Sequence, residues 1–171
     1  MATFNSAGSG NANADATWTE AGQPAAGDHV IIASGHTVTF TADEAWGSVR
    51  VNGTLAGNYT CTLNDGGQSA ILHNNGTIND TPNFTITGGT NREIKNDSSS
   101  TLGTVTINSS GQTFTLAGPN THTYETLGIT AGTLTTLDGS TSRNLTVTGD
   151  VSVTGTLTGN ASAISLGSLQ I

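Results

Sequence analysis

One phrase recurs along this 171-residue chain: a short apolar strand followed by Gly-Thr and then Leu or Ile. It is carried by Val49, Val51, Gly53 and Leu55, by Ile71, Gly76 and Ile78, by Leu127, Ile129, Gly132 and Leu134, and by Val151, Val153, Gly155 and Leu157. The Gly-Thr pair stands at 53, 76, 103, 132 and 155, in steps of 23, 27, 29 and 23 residues. A second series agrees: strands opening at Val38, Cys61 and Phe84 are 23 residues apart, and Val105 follows after 21. A drifting period of 20 to 30 residues is the mark of a solenoid, in which each coil buries its apolar face only against its neighbours. A β-sandwich also has many short strands but gives no reason for such a repeat.

Within each repeat the apolar residues alternate with polar ones, as in Val38/Phe40, Phe84/Ile86 and Val105/Ile107. Period two predicts strands with one buried face, and Thr, Gly and Asn are poor helix formers. Gly and Asn turn the corners, where positive φ is cheap for them. Leu, Ile, Val and Phe number only 34, against 87 Thr, Gly, Asn and Ser. So few aliphatic residues border on disorder, but with only 16 charged residues the chain lacks the charge density of a disordered one. A narrow coil has little interior to fill. The reading is an all-β, single-domain parallel β-solenoid. Residues 1–26, in which only Phe4 and Trp18 are core formers, read as an N-terminal arm or cap, and residues 27–171 as the solenoid. The 142 residues from Val30 onward, at about 23 per coil, give about six coils. Segments 96–100 and 117–120 are expected to bulge from the register. Trp18 is the expected cover for one end of the stack. The apolar run from Ile164 to Ile171 is expected to finish the last coil or dock against another protomer.

Four Lys and Arg against twelve Asp and Glu leave a formal charge of −8. No basic stripe is available for a phosphate backbone, so nucleic acid is not an expected partner. No apolar run reaches the roughly 20 residues that cross a bilayer, and no membrane role is expected. Cys61 is alone, which rules out a disulfide framework and a cysteine-based zinc site. It falls at an inward position and reads as a small buried apolar residue. The N-terminus lacks a basic region followed by an apolar one, so the expectation is synthesis in a cytoplasm without a signal peptide.

The chemistry-bearing residues do not assemble into a motif. Most acids sit beside Gly, Asn, Ser or Pro, where they serve turns, and none fall as a matched pair on adjacent coils. His29 and His36 flank the first strand, His73 lies in an Asn-rich turn, and His29, His36, His73 and His122 have no metal-ligand spacing. Gly66-Gly67 and Gly88-Gly89 lack the residues of a calcium-binding repeat. No nucleophile elbow is present, and Lys95 is far from any glycine-rich phosphate loop. The chain is therefore read as non-enzymatic, with no catalytic, cofactor or metal residues assigned and no cofactor. Two binding alternatives remain. Thr39, Thr62, Thr85 and Thr106 follow the repeat and would form an outward hydroxyl row, as on an ice-binding face. Tyr59, Tyr124 or Trp46, if exposed, could stack against carbohydrate.

Residues Trp18 to Leu55 carry an opening phrase: Trp18, then Gln23 and Pro24, then Gly27, Asp28 and Val30, then Gly35, Val38 and Phe40, then Gly53 and Leu55. It resembles the start of β-solenoid segments in phage virion proteins, such as tail fibres, head fibres and capsid decoration proteins, and in bacterial adhesins. The resemblance covers about a quarter of the chain closely. It implies a virion structural protein, a capsid decoration (cement) protein or head fibre on the outer surface of a phage capsid. It further implies a homotrimer that contacts the major capsid protein or another virion protein. Ice binding, or carbohydrate binding as an adhesin or tail fibre, is the alternative.

Overall fold

The computed structural model describes residues 1–65 and 67–170. Gly66 and Ile171, named above, lie outside the described residues. The chain is a parallel β-solenoid of eight coils with three faces, and apart from the 3-10 turn Asp15–Thr17 the described residues form no helix.

Face 1 stacks Thr3–Asn5, His29–Ile32, Ser48–Val51, Ala70–Asn74 and Arg92–Asn96, then 114–117, 133–135 and Thr156–Thr158. Face 2 stacks Gly10–Asn11, Thr37–Thr39, Thr54–Ala56 and Thr77–Ile78. The ladder is interrupted there, where Ile78 N–H donates to Ser100 Oγ at 3.1 Å, and the face resumes through 101–102, 122–124, 145–147 and 164–166. Face 3 begins one coil later with Glu44–Trp46, then Thr60–Leu63, Asn83–Ile86, 105–107, 127–129, 151–153 and 169–170. Every pairing in these stacks is parallel. A parallel pair needs a crossover of a dozen or more residues, and here the two other faces of the coil supply it.

Eight coils replace the six expected from the sequence for two reasons. The first coil lies within residues 1–26, whose strands Thr3–Asn5 and Gly10–Asn11 pair with the next coil. The step between coils also varies: Val30 pairs with Val49, 19 residues on, before Leu72 and Ile94 settle to about 22. At roughly 4.8 Å per coil the stack stands roughly 34 Å tall.

The core is a set of ladders running the length of the stack. Val30, Val49, Leu72, Ile94 and Leu116 line the inside of face 1, and Cys61, Phe84, Val105, Leu127 and Val151 that of face 3. Each fully buried Leu, Ile, Val or Phe contributes about 1.5–3 kcal/mol, so 34 such residues suffice because most are buried in the core. Trp18 closes the first end. Its ring meets Phe4 and Trp46 edge to face at centroid distances of 6.3 and 6.0 Å, and its indole N–H donates to the Ala12 carbonyl at 2.8 Å.

The Gly-Thr phrase marks corners, but not one corner. Gly53 and Gly76 turn from face 1 to face 2, Gly103 from face 2 to face 3, and Gly132 and Gly155 from face 3 to face 1. The steps of 27 and 29 residues arise where the phrase moves to another corner. Glycine is needed because corner backbones stack directly. A Cβ on Gly76 would strike the Gly53 carbonyl, and one on Gly53 the carbonyls of Ala33 and His36.

Two expectations about register are corrected. Val38 pairs with Leu55 on face 2, not with Cys61, whose neighbours are Glu44 and Phe84. The segments around 96–100 and 117–120 are stacked corners, where Asp97 N–H donates to the Asn74 carbonyl at 2.8 Å. A true insertion lies at 137–142, an antiparallel hairpin of Leu137–Asp138 and Thr141–Ser142.

Candidate functional groove on face 1

Strand register decides which side chains share the outside of face 1. It sets Ile31 beside Arg50, Arg50 beside His73, and His73 beside Lys95, one residue from each of four successive coils. Arg143, just after the hairpin, lines a hollow with Lys95. Arg50, Lys95 and Arg143 thus lie along the outside of face 1 and its rim, while Arg92, in register with buried Phe114, stands at the corner beside Asp65.

Three of the four are neutralised in place. Arg92 meets Asp65 at 2.8 Å, Arg143 meets Asp138 at 2.8 Å, and Lys95 meets Asp97 at 3.4 Å. Asp97 also accepts from His73 Nε2 at 2.7 Å. Burial would raise the Asp97 carboxyl, but the hydrogen bonds from His73 and Lys95, with their charges, bring it below its ordinary value. Arg50 differs. It is exposed, and among the described residues its one hydrogen bond runs from Nε to Asn52 Oδ1 at 3.0 Å.

Arg50 borders an open groove of about 370 Å³ whose lining includes His29, Ile31, Gln68, Ser69 and His73. No carboxylate lines it among the described residues. His29 is buried at its edge, with Nδ1 2.8 Å from Ser48 Oγ. Burial lowers the pKa of His29, and the Arg50 charge lowers it further, against a hydrogen bond from the ring to the Ser48 backbone that raises it. The groove therefore offers one free guanidinium, imidazole, an amide and a hydroxyl over a small apolar strip.

A second hollow of about 410 Å³ lies between Glu93, Lys95, Asp97, Asp138 and Arg143; both of its cations are paired, and Glu93 adds a further carboxylate. Of the four histidines, His29 and His73 share the groove, and the other two lie elsewhere. His36 Nδ1 lies 2.9 Å from Ser6 Oγ, and His122 is buried with Nε2 2.9 Å from the Ala117 carbonyl. His73 stands on the strand Ala70–Asn74, not in a turn. Among the described residues no group of three His, Cys, Asp or Glu side chains is arranged around a common point. Cys61 is fully buried, and burial followed by the Glu44 charge pushes its thiol up, which leaves it unreactive.

The threonine row is shorter than expected. Thr62, Thr85 and Thr106 align on the outside of face 3, whereas Thr39 lies beside Ala56 on face 2. Ala45 stands below this row and Gly128 above it. Of the proposed stacking rings, Trp46 and Tyr124 are fully buried and only Tyr59 is exposed, at 42%.

Sequence reasoning missed Arg50. Its signal was present, since Arg50, His73 and Lys95 are spaced 23 and 22 residues apart, the coil step itself.

No family model, curated protein or solved structure matches the chain.

Proposed function

We propose that the chain is a non-enzymatic structural protein of a virion exterior, a capsid decoration protein or head fibre that associates as a homotrimer and contacts the major capsid protein. The observation that carries this reading is the difference between the two ends of a stiff, polar-surfaced stack. Trp18 seals the first end. At the other end the inward residues of the last coil, Leu157, Ile164, Leu166 and Leu169, stay partly exposed, and Leu169 reaches 49%. The strands Thr156–Thr158 and Ile164–Gln170 pair on one side only among the described residues, as Thr3–Asn5 and Gly10–Asn11 do at the first end, so the difference between the ends lies in their apolar cover. A stiff stack whose last described coil presents partly exposed apolar residues is suited to fixed, end-on attachment. The scattered acids and histidines further favour a structural over a catalytic role.

The test is assembly. Purified protein is mixed with shells of the capsid protein encoded nearest to it and sedimented, and its mass is measured alone. The reading expects a trimer that co-sediments in fixed stoichiometry, with Leu169→Arg weakening attachment. A monomer that leaves such shells bare would overturn it.

A further inference from the structure

We infer that the face 1 groove around Arg50 binds an acidic saccharide, a polysaccharide segment carrying about one carboxylate or sulfate per repeating unit. This inference does not depend on the virion role.

Arg50 is the only Lys or Arg side chain without a carboxylate partner among the described residues, in a chain of net charge −8. With Nε on Asn52, its two terminal nitrogens remain as a planar fork, the geometry that grips a carboxylate or sulfate by two parallel hydrogen bonds. Carboxylates are absent from the groove's described lining, although acids outnumber cations three to one in the chain.

The rest of the lining decides what carries the anion. Gln68 and Ser69 offer neutral donors and acceptors suited to hydroxyl groups, and Ile31 offers an apolar strip for C–H surface. An extended peptide would draw affinity from backbone pairing at a sheet edge. Strands His29–Ile32, Ser48–Val51 and Ala70–Asn74 are interior to the sheet, with neighbours on both sides, so no edge is open here. A densely charged polyanion is also disfavoured. Nucleic acid needs many cations, and here Lys95, Arg92 and Arg143 are already neutralised inside an acidic field. A sparsely charged sugar polymer meets one free guanidinium with little repulsion. From Ile31 to Lys95 the outward column runs roughly 14 Å along the stack, room for a short saccharide segment.

The experiment is titration calorimetry of the full chain with hyaluronan oligosaccharides (one carboxylate per disaccharide), κ-carrageenan oligosaccharides (one sulfate per disaccharide and no uronate), dextran oligosaccharide, an oligoglutamate peptide and sodium sulfate. Uronate-only and sulfated sugars separate the two anion chemistries. Expected is binding of at least one acidic oligosaccharide and none of dextran. Arg50→Gln should weaken it at least tenfold, Arg50→Lys by less, and Gln68→Ala about threefold, while Arg143→Gln leaves it unchanged. Melting curves establish that the variants fold, and the exposed Gln68 provides the readout if Arg50→Gln does not. The inference is overturned if no acidic oligosaccharide binds, if binding survives Arg50→Gln, or if oligoglutamate or free sulfate binds as tightly as the sugars.

Discussion

Single residues in this protein are constrained from two directions, by the coil below and the coil above. Gly76 illustrates the corner case. Its Thr77 neighbour donates to the Gly53 carbonyl at 2.9 Å, and a Cβ at position 76 would occupy the space of that same oxygen. Gly76→Ala should cost at least about 1 kcal/mol in urea unfolding, because either the corner or its hydrogen bond must move. Gly8 has nothing within 4 Å of a built Cβ, so Gly8→Ala should stay within about 0.5 kcal/mol. His122 illustrates the interior case. Nε2 donates to the Ala117 carbonyl, and Nδ1 accepts from the Tyr124 hydroxyl at 3.2 Å, so the neutral ring is satisfied and a second proton has no acceptor. Burial lowers its pKa from 6.5 to about 4. The unfolded chain therefore takes up the proton first. Stability from this residue is fully present above about pH 6.5 and is lost as pH falls toward 4, a change of roughly 3 kcal/mol. Denaturation at pH 7.5, 5.5 and 4.5 should reveal that slope, and His122→Gln should flatten it.

At the scale of the element, short strands hold because ladders cross them. The first coil has strands of three and two residues, Thr3–Asn5 and Gly10–Asn11, which would not persist alone. Trp18 fixes them by packing on Phe4 and Trp46 and bonding to Ala12. Trp18→Ala should cost about 3–5 kcal/mol in chemical denaturation, with the loss of order confined first to residues 1–26. These same elements mark what the sequence disclosed. Alternation at Phe84/Ile86 and Val105/Ile107 gave both strand and inward face, because period two is a local property. Pairing partners were less legible. Val38-Thr-Phe40 resembles Cys61-Thr-Leu63 in pattern, yet it belongs to another face, since any face of a solenoid can use the same alternation. The groove was hidden for a related reason. Arg50, His73 and Lys95 meet only through register, and an exposed cation on a strand carries no local sign of which neighbours it will have.

For the whole molecule, stability is approximately one-dimensional: a sum over coils and the interfaces between them. Interior coils have two interfaces, and terminal coils have one. The first coil compensates with the Trp18 cap, whereas the last has Leu157, Ile164 and Leu166 half covered and Leu169 exposed. Unfolding should therefore begin at the last coil and propagate toward the first. Hydrogen exchange under native conditions tests this directly, because each amide reports the opening free energy of its own coil. Amides of Thr156–Thr158 and Ile164–Gln170 should exchange fastest, and those of Ser48–Val51, Thr60–Leu63 and Asn83–Ile86 close to the global unfolding rate. If the last coil is covered in an assembly, its protection should rise by orders of magnitude while the middle coils change little. Uniform protection from first coil to last in the isolated chain would mean that the stack opens as one cooperative unit, and that the open end is not a weak one.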